Sequence, residues 1–175
     1  IGTYKSGRVA VGCFASNIAR LETIALAAEA NGRSVCLVGR SLHRMYKVAK
    51  STGYLKDMPA LLDEEEIGYL PRERVLLICT GSQGEPRAAL TRIAGDTHPS
   101  VSLQSGDTVV FSARQIPGNE KAIGRLQNRL AMKGIDIVTA RDEFIHVSGH
   151  PARDDLEKMY GFIKPRIAIP VHGEY

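Results

Sequence analysis

Histidines with the surroundings of a reactive site are concentrated near the end of this sequence. His146, His150 and His172 are three of its five histidines, and each lies beside an apolar run and a small or turn-forming residue. Imidazoles exchange protons near neutral pH and bind metal ions. His150 lies between Gly149 and Pro151, so we expect it to open a helix, where positive charge is disfavoured. This position suits a general acid or base.

A metal ligand is the second chemical role that these histidines suggest. His172 follows a predicted strand and precedes Gly173, a position typical of a ligand. A catalytic zinc ion needs at least three protein ligands, and the sequence contains neither HxHxDH nor HExxH. We therefore expect the other ligands of any site that uses His172 to lie outside this chain.

Short apolar strands alternate with helices along the chain and would position these side chains. Strands are predicted at 8–14, 34–38, 74–80, 108–112, 135–139, 143–147 and 166–171. Helices are predicted at 16–30, 42–50, 85–94, 119–133 and 152–163, with Ser16 as the N-cap of the first. Residues 54–73 are expected to be a loop with short elements. This order predicts an α/β fold, doubly wound and Rossmann-like, whose mostly parallel sheet carries helices on both faces.

Polar residues that follow the predicted strands suggest an anion site. Ligands of open parallel sheets bind beyond the carboxyl ends of the strands, and free N–H groups with nearby hydroxyls bind phosphate. The residues at these positions are Ser16, Asn17, Arg40, Ser41, Ser82, Arg114, Ser148, Gly149 and His150. Plainer alternatives stay open. Ser16 can simply cap a helix, residues 81–86 can be a tight turn that matches no dinucleotide or P-loop fingerprint, and His146 can be structural.

Composition narrows the class of protein. The chain has 175 residues, 43% of them hydrophobic, and a net charge of +4. It is mildly basic, which is compatible with a polyanionic partner. No apolar run reaches the roughly 18 residues of a membrane-spanning helix. Three cysteines without CxxC spacing predict buried thiols of a reduced, cytoplasmic protein. The chain starts at Ile1 rather than Met, and we expect it to be an excised segment.

Five phrases together resemble the β-CASP family of metallo-β-lactamase-fold nucleases, most closely its ribonuclease J group. They are FASNI with RL at 14–21, VGRS at 38–41, TGSQGEP at 80–86, HVSGH at 146–150 and PVHGEY at 170–175. They run the length of the chain in the family's order. The resemblance implies a zinc-dependent enzyme with two metal ions that hydrolyses single-stranded RNA, as a 5′–3′ exonuclease and an endonuclease.

The resemblance also implies roles for particular residues. His172 matches a zinc ligand, and His150 matches a histidine thought to act as general acid or to stabilise the leaving group. The segment with His146, Ser148 and Gly149 matches one that grips an RNA phosphate. Ser16, with its neighbour Asn17, and Ser82 fall in loops that face the same cleft.

The resemblance further implies a division of the chain. Residues 1–147 would form the β-CASP domain, and residues 148–175 would return to a metallo-β-lactamase domain whose remainder is absent here. This chain alone would then be inactive and would not bind zinc by itself. The expected partners are single-stranded RNA, the chain's own metallo-β-lactamase domain and, at full length, further copies of the protein.

Two features depart from the family, and two rival functions stay open. Ala19 stands where relatives often carry His, and Pro151 removes an N–H that could bind phosphate. One rival is a non-catalytic Rossmann-like module that binds a nucleotide or sugar phosphate. The other is a DNA-directed β-CASP nuclease, against which the final histidine argues by resemblance only.

Overall fold

The computed structural model describes residues 1–147 and 149–169. Across these residues, six strands alternate with helices. The strands are β1 (Val9–Gly12), β2 (Ser34–Val38), β3 (Leu61–Leu62), β4 (Val75–Cys79), β5 (Thr108–Phe111) and β6 (Asp136–Val138). The helices are α1 (Ile18–Ala30), α2 (Arg40–Ser51), α3 (Ala89–Ala94), α4 (Glu120–Met132) and α5 (Arg153–Ile163), with short 3₁₀ turns at Glu66–Gly68 and Arg72–Arg74.

All six strands run parallel in one sheet of order β3-β2-β4-β1-β5-β6. β1 lies in the middle, with Val11 beside Ile78 of β4 and Val110 of β5. The central strands are fully buried and rich in branched apolar residues, as a sheet covered on both faces requires. Because the strands are parallel, the loops after β1, β4, β5 and β6 emerge at the same edge.

Helices cover both faces of this sheet, which confirms the predicted doubly wound α/β fold. On one face, α3 and α4 bury Leu90, Ile93 and Leu126 against alternate residues of the strands. On the other face, α1 and α2 bury Leu21 and Leu42 against the remaining strand residues. Period-2 alternation of side chains along each strand divides the apolar residues between these two cores.

A buried carboxylate joins the amino ends of β1 and β5. The Asp107 side chain is completely buried and accepts hydrogen bonds from the backbone N–H groups of Arg8 and Gln104, at 2.7 and 2.8 Å. Arg72 grips the same carboxylate with two guanidinium nitrogens. This network fixes the edge of the sheet opposite the carboxyl ends of the strands.

Three predicted helix starts were wrong by two or more residues, and one of them is that of α2, which begins at Arg40 rather than Leu42. α1 begins at Ile18, and its N-cap is Asn17, whose side chain accepts from the Arg20 N–H at 3.0 Å; Ser16 lies outside the helix. α3 begins at Ala89 rather than near residue 85. Residues 81–88 instead form turns, because Gly81 and Gly84 adopt positive φ, and the Glu85 carboxylate accepts from the Gln83 N–H.

The predicted strand at 143–147 was also wrong. After β6 the chain turns at 139–142 and continues as irregular backbone. The carbonyls of Ile145 and Val147 accept hydrogen bonds from the side chains of Ser112 and Arg20 instead of from a neighbouring strand. Residues 166–169 are likewise irregular, and the rest of the strand predicted at 166–171 lies outside the described residues.

α5 exposes every residue of its surface within the described structure. Leu156, Met159, Tyr160 and Ile163 follow the i, i+3, i+4, i+7 spacing that places them on one face, and they are 45–63% exposed. The helix is amphipathic, and its apolar stripe has no partner among the described residues. None of the described helices is both long and apolar enough to cross a membrane.

Candidate functional site

An open cleft of about 700 Å³ lies at the carboxyl edge of the sheet, between loops that follow β4, β5 and β6 and the side of α4. Its lining combines an apolar part with hydroxyl, amide, guanidinium and imidazole groups. The lining residues are Ser82, Phe111, Ala113, Arg114, Gln115, Pro117, Glu120, Ile123, Gln127, Thr139, Ala140, Arg141 and His146. A concave site with apolar walls and a few convergent polar groups is typical of ligand binding.

Gln83 joins the loops after β4 and β5. Its side chain is buried, donates from Nε2 to the Arg114 carbonyl at 3.0 Å, and accepts at Oε1 from the Ile116 N–H at 2.9 Å and from Asn119 Nδ2 at 3.3 Å. One amide thus satisfies three groups of the neighbouring loop. This network fixes the wall of the cleft that carries Arg114.

Gly84 lets the same loop approach α4 closely. Its φ is +74°, and a Cβ placed there would lie 2.6 Å from the backbone carbon and oxygen of Ala122. Glycine is therefore required by conformation and by space. This contact packs the loop that follows β4 against the N-terminal half of α4, next to the cleft.

Arg20 holds the segment that carries His146 against the sheet edge. Arg20 Nη1 donates to the Ser112 carbonyl and to His146 Nδ1, each at 2.8 Å, and Nη2 donates to the Val147 carbonyl at 2.8 Å. The Ser112 hydroxyl donates to the Ile145 carbonyl at 2.7 Å. Residues 145–147 are therefore held by Arg20 in the first turn of α1 and by Ser112 just after β5.

The clamp also sets the protonation of His146. A guanidinium group is only a donor, so Nδ1 must accept and the remaining proton of the neutral ring sits on Nε2. Burial lowers the pKa of His146, and the positive charges of Arg20 and Arg114 lower it further, while the Ser112 carbonyl partly offsets them. Near neutral pH, His146 is a neutral ring with a donor at Nε2.

A tight turn presents the other arginine of the cleft. The Asp142 carboxylate accepts from the backbone N–H and the hydroxyl of Thr139, both at 2.8 Å. The backbone hydrogen bond from Thr139, followed by the hydroxyl bond, lowers the pKa of Asp142. The ionised carboxylate stabilises the turn at 139–142, from which Arg141 reaches the cleft.

The structure brings some of the predicted site residues together. Ser82 and His146 line the same cleft although they are 64 positions apart (146 − 82). Ser16 is exposed and Asn17 caps α1, and neither lines the cleft. Gly149 and His150 are exposed outside the lining. Because α5 begins at Arg153, His150 precedes the helix instead of opening it.

Two predicted site residues, Ser148 and His172, lie outside the described residues, so their predicted roles are untested. Within 1–147 and 149–169, no group of three or more His, Cys, Asp or Glu side chains could hold a metal ion. The described residues therefore do not fit a zinc site by themselves.

The thiols of Cys13, Cys36 and Cys79 are buried, and burial raises the pKa of Cys13 to about 11.

Sequence reasoning missed Arg20, Gln83, Ser112 and Arg141 as residues of the site. Arg20 and Gln83 stand inside phrases that carried the family resemblance. For Gln83, a long polar side chain shortly after a buried strand was a further signal. Arg141 follows the predicted strand at 135–139 by two residues, as Arg114 follows the strand at 108–112, so the same signal was available for it. Ser112 offered none, because its partners are brought close only by the packing of the sheet.

Comparison with known families identifies the chain. The sequence model of the beta-CASP domain of ribonuclease J matches residues 6–130, well over half of the chain. The chain belongs to the ribonuclease J family. A second match, to the RNA specificity domain of Zn-dependent metallo-hydrolases, covers residues 134–175. The boundary that we predicted after residue 147 stays a prediction.

Relatives within the ribonuclease J family are similar along nearly all of the chain. It is 51% identical to ribonuclease J of Sinorhizobium meliloti over 168 residues, 96% of the chain. It is 44% identical to ribonuclease J of Mycolicibacterium smegmatis over 97% of the chain, and 37% identical to ribonuclease J2 of Bacillus subtilis over 96%. The chain spans about 30% of the length of each of these relatives.

Proposed function

We propose that this chain is the RNA-binding β-CASP part of a zinc-dependent enzyme that hydrolyses phosphodiesters of single-stranded RNA, acting as a 5′–3′ exonuclease and an endonuclease. The observation that carries the proposal is the cleft that combines Ser82 and His146 with two arginines. Hydroxyl, imidazole and guanidinium donors converging on one concavity bind phosphate oxygens. Membership of the ribonuclease J family supports RNA as the substrate.

His146 would act as a neutral donor to an RNA phosphate. Arg20 occupies Nδ1, so the ring offers its Nε2–H, and the lowered pKa keeps it in this form near neutral pH. Ser148 and Gly149, the next residues of the predicted phosphate-binding segment, would add hydroxyl and N–H donors. Ser16 and Asn17 would contribute from the rim rather than from the lining.

The chemical step would depend on residues beyond the described cleft. His150 is proposed as the general acid or leaving-group stabiliser, and His172 as one zinc ligand. Because the described residues hold no metal-binding cluster, we derive no step through zinc. The remaining ligands would come from a metallo-β-lactamase domain in the same polypeptide, and this chain alone would be inactive.

Activity assays on the polypeptide at its natural length test the proposal. With Zn²⁺ and a 5′-monophosphorylated, unstructured RNA, we expect mononucleotides from the 5′ end and internal fragments, with little cleavage of DNA of the same sequence. His172→Ala should abolish turnover while sparing the fold, and His150→Ala should lower kcat. His43→Ala, an exposed change on α2, is the control. Undiminished turnover in His172→Ala would refute the proposed metal role.

A binding assay separates the nuclease from a non-catalytic nucleotide-binding module. RNA binding should be weak for this chain alone and should weaken steeply with added salt, since phosphate contacts dominate such affinity. A module specific for one small nucleotide would bind that nucleotide with little salt dependence and leave RNA intact. A cytoplasmic location and assembly into homo-oligomers at full length are further parts of the proposal.

A further inference from the structure

We infer that the cleft holds one unstacked nucleotide of the RNA, with Arg114 and Arg141 as ligands of the phosphates on either side of it. This inference rests on the proposed function and deepens it, because it assigns particular phosphate ligands and a base position within the cleft that His146 also lines. Both arginines line the cleft from different strands: Arg114 follows β5 and Arg141 follows β6.

The charge of the cleft favours a polyanion. Its charged lining residues are Arg114, Arg141 and Glu120. Both carboxylate oxygens of Glu120 lie 2.9–3.0 Å from the Gly118 N–H, so this carboxylate is engaged within its own loop. The ion pairs among the described residues join other side chains. The two guanidinium groups are therefore available to phosphate oxygens, which they bind in bidentate geometry.

Each arginine is presented by a loop that its own hydrogen bonds hold in place. Gln83 accepts from the Ile116 N–H and donates to the carbonyl of Arg114 itself. In the other loop, Asp142 closes the turn through Thr139. Hydrogen bonds within the chain itself form both frameworks, so little ordering of the backbone is needed when a phosphate binds.

The rest of the lining suits a base rather than phosphate alone. Phe111, Pro117 and Ile123 provide apolar surface, while Gln115 and Gln127 provide amides that can both donate and accept. Proteins recognise single-stranded RNA by holding a splayed base against apolar groups and bonding its edge. The volume of about 700 Å³ lies in the usual range of small-molecule sites.

Equilibrium binding of a 5′-labelled, unstructured ten-nucleotide RNA to the natural-length polypeptide, in EDTA to prevent hydrolysis, tests the inference. Arg114→Gln and Arg141→Gln should each weaken binding about five- to tenfold, as for the loss of one phosphate contact. Each should also reduce the slope of log affinity against log salt by about 0.7. Arg44→Gln, an exposed arginine on α2, is the matched control, and Arg114→Lys should restore part of the affinity.

Replacing single phosphodiesters of the RNA with neutral methylphosphonates locates the two contacts. In the wild type, a methylphosphonate at either of two linkages should weaken binding. At one of these linkages it should no longer weaken binding to Arg114→Gln, and at an adjacent linkage it should no longer weaken binding to Arg141→Gln. If both variants match Arg44→Gln in affinity and salt slope while the wild type still binds and cleaves RNA, the subsite is refuted and the proposed function stands. If the wild type neither binds nor cleaves RNA, the proposed function fails.

Discussion

Arg20 Nη1 lies 2.8 Å from His146 Nδ1, although the two residues are 126 positions apart in the chain. The same nitrogen donates to the Ser112 carbonyl, so one guanidinium joins the end of β5 to the segment that follows β6. This contact assigns the proton of neutral His146 to Nε2. Arg20 thereby positions a cleft residue without lining the cleft itself.

Removing this guanidinium should change His146 measurably. In Arg20→Met, the pKa of His146 should rise because a nearby positive charge is lost, and residues 145–147 should exchange amide protons faster. NMR titration of the imidazole and hydrogen exchange measure both effects. Arg20→Lys keeps the positive charge but cannot donate to all three acceptors of the guanidinium group. It should therefore restore the pKa of His146 more fully than the protection of residues 145–147 from amide hydrogen exchange. An unchanged titration in Arg20→Met would refute the positioning role.

Acidic pH should weaken the clamp. The pKa of His146 is lowered in the folded protein from its ordinary value of 6.5. Below that value the unfolded chain binds a proton that the folded chain does not, so the contribution to stability is intact above pH 6.5 and falls as the pH drops through it. Urea unfolding gives the free energy of unfolding at pH 7.5 and at pH 5. The decrease between these two pH values should be smaller for His146→Gln than for the wild type. Ser41→Gln on α2, an exposed change that removes no titratable group, should lose as much stability as the wild type.

The buried carboxylate at the amino edge of the sheet should contribute strongly to stability. Asp107→Asn removes the negative charge that faces Arg72 and places an NH₂ group among donors, which should lower the free energy of unfolding by about 3 kcal/mol or more. Asp96→Asn, which breaks the partly exposed pair with Lys133, should cost less than about 1 kcal/mol. Chemical denaturation measures the free energy of unfolding of both variants. Equal decreases would contradict the role of the Asp107 network in stability.

A matched pair of glycines tests the contact between the β4 loop and α4. Gly84 and Gly53 both have positive φ, but only Gly84 faces backbone, that of Ala122; a Cβ at Gly53 would meet nothing within 4 Å. Gly53→Ala should show the conformational cost alone, about 1–3 kcal/mol. Gly84→Ala should lower the free energy of unfolding by more than Gly53→Ala does, as measured by thermal or urea unfolding. Similar losses would show that the loop can move away from α4 at no cost.

The apolar stripe of α5 should contact another part of the natural-length polypeptide. Met159→Asp places a charge in the stripe and should lower that polypeptide's stability and RNA hydrolysis, because the proposed metallo-β-lactamase domain would bury this position. In the 175-residue chain the same change should have little effect, since Met159 is 54% exposed there. Lys158→Asp, off the stripe, is the control in both proteins. Equal tolerance of the two changes at natural length would refute the docking.

The α/β class, the alternation of elements and most strand positions could be read from the sequence. Runs such as 75–79 are apolar throughout, and their short length and branched residues favour a strand buried on both faces. The family resemblance also followed from the sequence, because it depends only on the residue types of its phrases and on their order along the chain. Apolar period and turn residues are local signals, so they survive without knowledge of the fold.

Tertiary structure decided which side chains meet. The order β4-β1-β5-β6 brings Ser82, Arg114, Arg141 and His146 to one cleft and leaves Ser16 outside its lining. It also turned the expected strand at 143–147 into irregular backbone, because Arg20 and Ser112 satisfy its carbonyls from distant positions. Such bonds depend on strand order and helix packing, which arise from the whole core rather than from any local pattern.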